Sequence, residues 1–377
     1  METFDYIIAG AGASGLSMAY YMAIDPFFDD KKILLIDREP KTSYDRTWCF
    51  WTENERIFPD VVCKTWKKIQ IKTPKKNNIF DIYPFSYHLI KSNDFYAYVL
   101  NILKSKKNFK ILYESIEEIR GHGTVVTEKS LYRSGYVFSS IGNAIRYKEG
   151  NITLLQHFKG WQIETEESIF DANVATLMDF SIEQYKDCRF CYVLPYSEKE
   201  AMVEYTIFSD KILKDEEYEY FLEEYIKKVF GNIKYTINHK EFGVIPMSDI
   251  AYTSDITSSV INIGTVGGAT KASTGYTFYF IQKQAHFYIQ QLKKGKIQKL
   301  YQPRYKYRLY DSVLLRVIQE KQMPAYKIFE DLFFKLKIQE VFNFLNEKSS
   351  LLQDIKIMSS VNIPVFLRAM ISQIRKI

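Results

Sequence analysis

A mixed α/β fold, with a parallel sheet interrupted by an inserted antiparallel sheet and followed by helices, is predicted by three observations. The first is the apolar run Tyr6–Ala9, which meets Gly10-Ala11-Gly12-Ala13-Ser14-Gly15 and then a helical stretch from Leu16 to Ile24. The second is a change of pattern at Cys188, where two apolar runs, Cys188–Tyr196 and Ala201–Phe208, flank Ser197-Glu198-Lys199-Glu200 and read as a hairpin. The third is a later glycine cluster, Gly264-Thr265-Val266-Gly267-Gly268, placed between a strand at Val260–Gly264 and a helix running to about Leu292.

The first element is strand, tight turn and helix. Its glycines permit the turn, let the backbone approach a pyrophosphate, and allow close helix–strand packing, while the helix N-terminus offers free N–H groups to the diphosphate. A second short strand, Ile33–Ile36, follows, and Asp37 stands at its end, where an acid for a ribose hydroxyl belongs. The glycine pattern alone is weak, but strand, turn, helix, strand and acid occur here in order, which favours a bound dinucleotide over a plain β-turn-α unit.

Asn93–Lys106 reads as a helix, and Lys110–Tyr113, Ile116–Ile119, Gly123–Glu128 and Tyr136–Ser139 as short strands. A helix and meander returning to a parallel sheet is an insertion typical of FAD domains. The expected division is a discontinuous FAD-binding domain (1–45, 91–155, 248–292), a substrate and catalytic domain (46–90, 156–247) and a C-terminal helical region (293–377). The last of these is broken near Pro324 and Pro364.

The formal charge of +6 is unevenly spread: from Gln291 onward 17 basic residues face 7 acidic ones, so the tail carries +10. Within it, Tyr326–Leu345 repeats apolar residues at helical spacing. Such a helix either lies on an anionic membrane surface or packs on the protein's own core. Nucleic acid is a poorer partner, because the basic residues form no continuous stripe. Cys188 and Cys191 form a lone C-x-x-C within a strand-like run and no histidine pair has ligand spacing, so no metal site is expected. The charge-free stretch Tyr6–Ile24 contains the three glycines and is strand-turn-helix rather than a membrane span. The expectation is a cytoplasmic protein touching a membrane only peripherally.

Strand alternation places Met202, Glu204, Thr206 and Phe208 on one face and Ala201, Val203, Tyr205 and Ile207 on the other. Both faces are mainly apolar. A carboxyl buried there without a cation has a raised pKa and can serve as a general acid, whereas an edge-strand glutamate keeps its head in water. The strand pattern leaves both readings of Glu204 open. The aromatic segment Trp48–Trp51, with Tyr192, Tyr196 and Tyr205, offers ring faces for a cation or ordinary core packing.

Several segments together resemble the lycopene cyclases of carotenoid-making bacteria. These are Asp45-Arg-Thr-Trp-Cys-Phe-Trp51, Phe190-Cys-Tyr-Val-Leu-Pro195, Val203-Glu-Tyr-Thr206, Gly243-Val-Ile-Pro-Met247, Gly264 through Phe278, and Asn362-Ile-Pro-Val-Phe-Leu-Arg368. The resemblance implies a flavoprotein monooxygenase-like architecture and FAD in its reduced, active form, with NAD(P)H as electron donor. Its implied reaction is a non-redox cyclisation of a linear carotenoid to β-ionone rings. It implies Glu204 as the essential acid; the next residue, often acidic in the family, is here Tyr205. The cofactor would be held by Gly10, Ala11, Gly12, Ala13, Ser14, Gly15 and Asp37, with Gly264, Gly267 and Gly268 closing over it. The alternative is an FAD- and NAD(P)H-dependent monooxygenase or prenyl reductase acting on an apolar substrate.

Overall fold

The computed structural model describes residues 1–143, 145, 147–252 and 259–374. Five strands run parallel in the order Phe109–Tyr113, Ile33–Asp37, Glu2–Ala9, Leu131–Ser139 and Val260–Asn262. Ile7, Ile8, Ala9 and Ile33 through Ile36 are fully buried, as expected of strands covered on both faces. The helices Ala13–Ile24, Ser92–Ser105 and Phe278–Leu292 share a core with one face. On the other face, Val125 and Tyr132 of the antiparallel meander join Ile7, Leu34 and Val137.

A second sheet of seven strands has the order Tyr235–Ser248, Thr153–Thr165, Glu200–Ser209, Cys188–Pro195, Val174–Asp179, Lys68–Lys72 and Asn77–Asp81. Its hairpin, Cys188–Pro195 with Glu200–Ser209, has the predicted alternation. Met202 and Phe208 face the core shared with the C-terminal helices, whereas Ala201, Val203, Tyr205 and Ile207 face the helix Asp215–Phe230. The sheet is not wholly antiparallel, since Val174–Asp179 runs parallel to Lys68–Lys72. Cys188 and Cys191, three residues apart on this strand, lie in cores on opposite faces of the sheet, so the two thiols do not converge. A small third sheet joins Thr47–Thr52, Ser86–Lys91 and Val62–Trp66.

Five helices from Tyr305 to Ile374 close the molecule. The stretch expected as one amphipathic helix is two, Ala325–Lys335 and Ile338–Leu345, separated by an extended Leu336. The bend lets both apolar faces reach the protein's own core: Ile328, Phe329, Phe333, Val341 and Phe342 are all buried, so this segment takes the packed alternative. Pro364 sits in the first turn of Ile363–Ile374, where its missing N–H breaks no helical bond. Among the described residues no helix is long and apolar enough to cross a membrane.

The chain that returns from the parallel sheet is tied to these helices by a buried charge cluster. Lys271 Nζ lies 2.8 Å from Asp311 Oδ1 and 3.6 Å from Glu347 Oε1, and Ser273 Oγ donates to Asp311 at 2.6 Å. All three charged side chains are enclosed, so their neutralisation is mutual. Lys271→Met leaves two buried carboxylates uncompensated and is expected to lower unfolding stability by about 3–5 kcal/mol; urea titration measures it, and an unchanged midpoint contradicts the assignment.

Candidate active site

The glycine turn forms as the sequence predicts, and its glycines have different jobs. Gly10 has φ +99°, and a Cβ there would lie 2.3 Å from Ser140 Oγ. A Cβ on Gly15 would lie 1.8 Å from the Gly10 carbonyl oxygen, so only glycine lets helix and strand approach so closely. Gly12 is different: a Cβ there would meet nothing within 4 Å. It caps the helix Ala13–Ile24 without a side-chain hydrogen bond, and the first turn holds no acid. That helix end, with Ala13 and Ser14 opening it, therefore presents uncompensated N–H groups beside open space, the arrangement that suits a diphosphate. Asp37 Oδ2 accepts the Ala11 N–H at 2.6 Å, and its other oxygen lies 3.3 Å from Lys41 Nζ. In this structure Asp37 holds the turn itself.

The later glycine cluster folds back onto this turn. Gly264, at φ +67°, sits so close to Ser14 that a Cβ would lie 2.8 Å from the Ser14 Cβ. Gly264 N donates to Gln284 Oε1 at 2.7 Å, anchoring the cluster to the helix Phe278–Leu292. Gly267 and Gly268 are demanded by packing, the first against the Asn262 carbonyl and the second against the Tyr252 ring. The helix Phe278–Leu292 in turn packs on Ala13–Ile24, where Gln282 Nε2 donates to Ser17 Oγ.

Between the cluster and that helix, Gly275, Tyr276, Thr277 and Phe278 cross the inner face of the second sheet. They form one side of a cavity whose other walls include Trp48, Cys49, Gln156, Phe158, Tyr192, Met202 and Glu204. Gly275 passes so near Gln156 that a Cβ would lie 2.0 Å from its Oε1. A line of hydroxyls, Thr265 to Thr270 at 3.3 Å and Thr270 to Thr277 at 3.0 Å, links the glycine cluster to the cavity wall. One continuous segment thus touches both the turn that fits a diphosphate and the cavity that contains Glu204.

Glu204 is partly exposed and faces this cavity from the middle of its strand. Thr206 Oγ1 donates to Glu204 Oε1 at 2.7 Å, and no cation pairs with the carboxyl among the described residues. Burial pushes its pKa up to about 8, the charge of Glu241 adds to the rise, and the Thr206 hydroxyl pulls against it. Tyr205, the neighbouring position, points to the opposite face and stacks on Phe221 at 5.0 Å. Trp48 and Tyr192 reach the cavity, while Trp51 stacks on Phe342 and Tyr196 lies against Lys91.

Glu241 went unnoticed in the sequence. It pairs with Gly160 on one edge of the strand Thr153–Thr165, and Glu204 pairs with the same Gly160 on the other. The two glutamates therefore share a row and a face, separated by a residue with no side chain. Glu241 is buried behind the cavity wall; its Oε1 accepts the Thr47 N–H at 3.1 Å and its Oε2 has no hydrogen-bond partner among the described residues. Burial pushes its pKa up to about 7. The signal was available: the strand was expected only from Gly243, and extending its alternation back by two residues puts Glu241 in line with Ile245 and Met247.

A family profile described as "Lycopene cyclase protein" matches residues 5–373. The chain belongs to the lycopene cyclase family. No curated protein sequence matches it. Among solved structures, this lycopene cyclase family member is similar to a geranylgeranyl bacteriochlorophyll reductase-like protein from Thermoplasma acidophilum. That match has 14% identity and a TM-score of 0.66, covering 99% of this chain and 100% of that one. It is also similar to PqsL, a probable FAD-dependent monooxygenase from Pseudomonas aeruginosa, at 12% identity and TM-score 0.58, covering 87% and 100%. A flavin-dependent halogenase from Xanthomonas campestris matches at 9% identity and TM-score 0.59, covering 99% and 96%. At these identities the shared property is the fold, which is the α/β architecture expected from the sequence.

The two glutamates of this cyclase-family chain have a measurable linkage. Both have folded-state pKa values above the ordinary carboxylate range, so the folded protein holds protons that the unfolded chain releases near pH 4.5. Their contribution is present below pH 4.5 and is lost as pH rises through about 7 and 8. Thermal midpoints of the parent should fall between pH 6 and 9, and those of the double variant Glu204→Gln/Glu241→Gln should fall less. Equal slopes would contradict the burial argument.

Proposed function

We propose that this protein cyclises the linear ends of lycopene to β-ionone rings, a proton-initiated rearrangement with no net change of oxidation state, using bound FAD. The observation that supports the reading best is Glu204, held by one hydroxyl and by no cation among the described residues, in a cavity walled by rings. A neutral carboxyl near pH 7 can donate its proton to a terminal carbon–carbon double bond, leaving a tertiary carbocation. An internal double bond of the same polyene then closes the ring and carries the positive charge inward. Loss of a proton from the carbon beside that charge restores a double bond, and the Glu204 carboxylate left by the first step is the base positioned to take it. Atoms and charge balance within one carotenoid and one carboxyl.

The surrounding residues serve this chemistry. Trp48, Phe158, Tyr192 and Phe278 present rings to the cavity, and each ring face near a desolvated cation stabilises it by roughly 0.5–2 kcal/mol. The same apolar walls keep out water that would trap the cation as an alcohol. Glu241 does not reach the cavity. It is a positioning residue whose negative charge, once formed, holds the Glu204 proton in place.

The residues that would hold FAD are those of the first turn, Gly10 through Gly15, with its diphosphate beside Gly12 and the end of the helix Ala13–Ile24. Asp37 steadies the turn, and Gly264 closes over it. When bound there, reduced FAD would supply electron density that stabilises a cation, and NAD(P)H would be the donor that keeps it reduced. The cofactor part comprises 1–45, 91–155 and 248–292, and the carotenoid reaches 46–90 and 156–247 from a membrane at which the protein works peripherally.

Expression in a lycopene-accumulating host should convert red lycopene to pigments with β-ionone ends, and purified protein should do so anaerobically without consuming stoichiometric NAD(P)H. Oxygen-dependent NAD(P)H consumption with an oxygenated product would favour a monooxygenase instead. Glu204→Gln should keep the fold and lower turnover by roughly 100- to 10,000-fold, whereas near-normal turnover removes Glu204 from the reaction. Glu241→Gln should retain turnover but move the alkaline limb of the pH profile to lower pH. Gly12→Val should fold and purify without FAD, by filling the space the diphosphate needs; full flavin absorbance in that variant refutes the assignment of the turn.

A further inference from the structure

The last two helices, Leu351–Ser360 and Ile363–Ile374, carry apolar side chains that the protein itself does not cover. Leu351, Leu352 and Ile355 are 70%, 80% and 64% exposed, and Ile363, Leu367, Ile371 and Ile374 lie between 46% and 53%. Each set recurs at helical spacing, as one continuous stripe along its helix. Scattered exposed leucines are ordinary, but two adjacent stripes on consecutive helices are not. The preceding pair of helices, by contrast, turns its apolar faces into the core, with Tyr326, Phe334 and Phe344 only partly buried.

These stripes open into the interior. Met358, Ile363 and Leu367 are exposed and also line a second apolar cavity, which runs inward past Phe366, Phe333 and Met178. Tyr276 lines this cavity and also the cavity of Glu204. An apolar passage therefore leads from the outer face of the last two helices to the ring that separates it from the acid.

Charge selects the occupant. Across these two helices the only carboxylate is Asp354, which is buried and bound to Lys306 Nζ at 2.7 Å. Arg368 is exposed on the second helix, Lys356 is exposed on the first and pairs with Glu340 at 2.7 Å, and the sequence continues with Arg375 and Lys376. Aliphatic stripes edged by cations and free of exposed acids suit an anionic lipid surface, with the aliphatic chains among the acyl groups and the cations at the headgroups. We propose that the face formed by Leu351–Ser360 and Ile363–Ile374 docks on an anionic bilayer, and that its cavity admits a long apolar substrate directly from the acyl chains. The second clause rests on the carotenoid reading above; the docking itself does not.

The test uses the full chain and phosphatidylcholine vesicles with and without phosphatidylglycerol. The variant Leu351→Gln/Leu352→Gln/Ile355→Gln changes side chains that line neither cavity. It should keep the parent's thermal midpoint and lose at least about tenfold in vesicle partitioning, the parent's own binding weakening as salt rises. Undiminished partitioning overturns the proposal. So does a parent that is a dimer without lipid and a monomer once the three residues are replaced, because a second copy then covers the face. Should the triple variant misfold, Leu352→Trp gives a second reading: brominated acyl chains should quench its added emission, and absence of that quenching also overturns the proposal. Lycopene turnover separates the two claims. The triple variant should retain turnover in detergent micelles and lose it in vesicles; a parent inactive in both media defeats the cyclase reading while vesicle partitioning still decides the docking.

Discussion

Taking a carboxyl group out of water disfavours its ionised form, and the energy is recovered only if a cation or several hydrogen-bond donors replace the lost hydration. Around Glu204 the described residues supply one hydroxyl and no cation. The carboxyl therefore keeps its proton at a pH where a solvated glutamate would have lost it. Everything proposed for the site depends on this imbalance, because a proton donor in an apolar cavity is the condition for starting carbocation chemistry. Glu241, two strands over, works in the same direction. Gly160 between them removes the side chain that would otherwise separate the two carboxyls.

Two sheets have to meet for that site to exist. The parallel sheet provides the glycine turn and the open space at Gly12, and the second sheet provides the row bearing Glu204. The segment from Gly264 to Phe278 bridges them, packing on Ser14 at one end and covering the cavity with Tyr276, Thr277 and Phe278 at the other. The Lys271, Asp311 and Glu347 cluster fastens the middle of this segment to the C-terminal helices. The helices are thus more than a cover. They hold the bridge in place and enclose the second cavity behind Tyr276.

Much of this was legible in local pattern. The turn at Gly10–Gly15, the strand ending at Asp37 and the hairpin with Glu204 were all visible, because each depends on residue spacing within a short window. The reading of Tyr326–Leu345 as one helix failed at Leu336, where an apolar residue consistent with helical period takes an extended conformation so that two short helices can both reach the core. Glu241 was missed because the strand Tyr235–Ser248 begins with polar, half-exposed residues that hide its period. The exposed apolar face that Tyr326–Leu345 does not present is carried by the next two helices, whose composition is less aromatic and whose aliphatic stripes stay exposed.

By itself the sequence determined which faces of the hairpin its residues occupy and which turn requires glycine, since backbone geometry fixes both within a few residues. Only the tertiary structure placed Glu204, still partly exposed, in a cavity rather than on an open strand edge, because the covering segment lies some seventy positions along the chain. It alone decided that a second carboxyl stands in the same row. Burial and charge coupling are set by whatever packs nearby in space, and no local pattern carries that information.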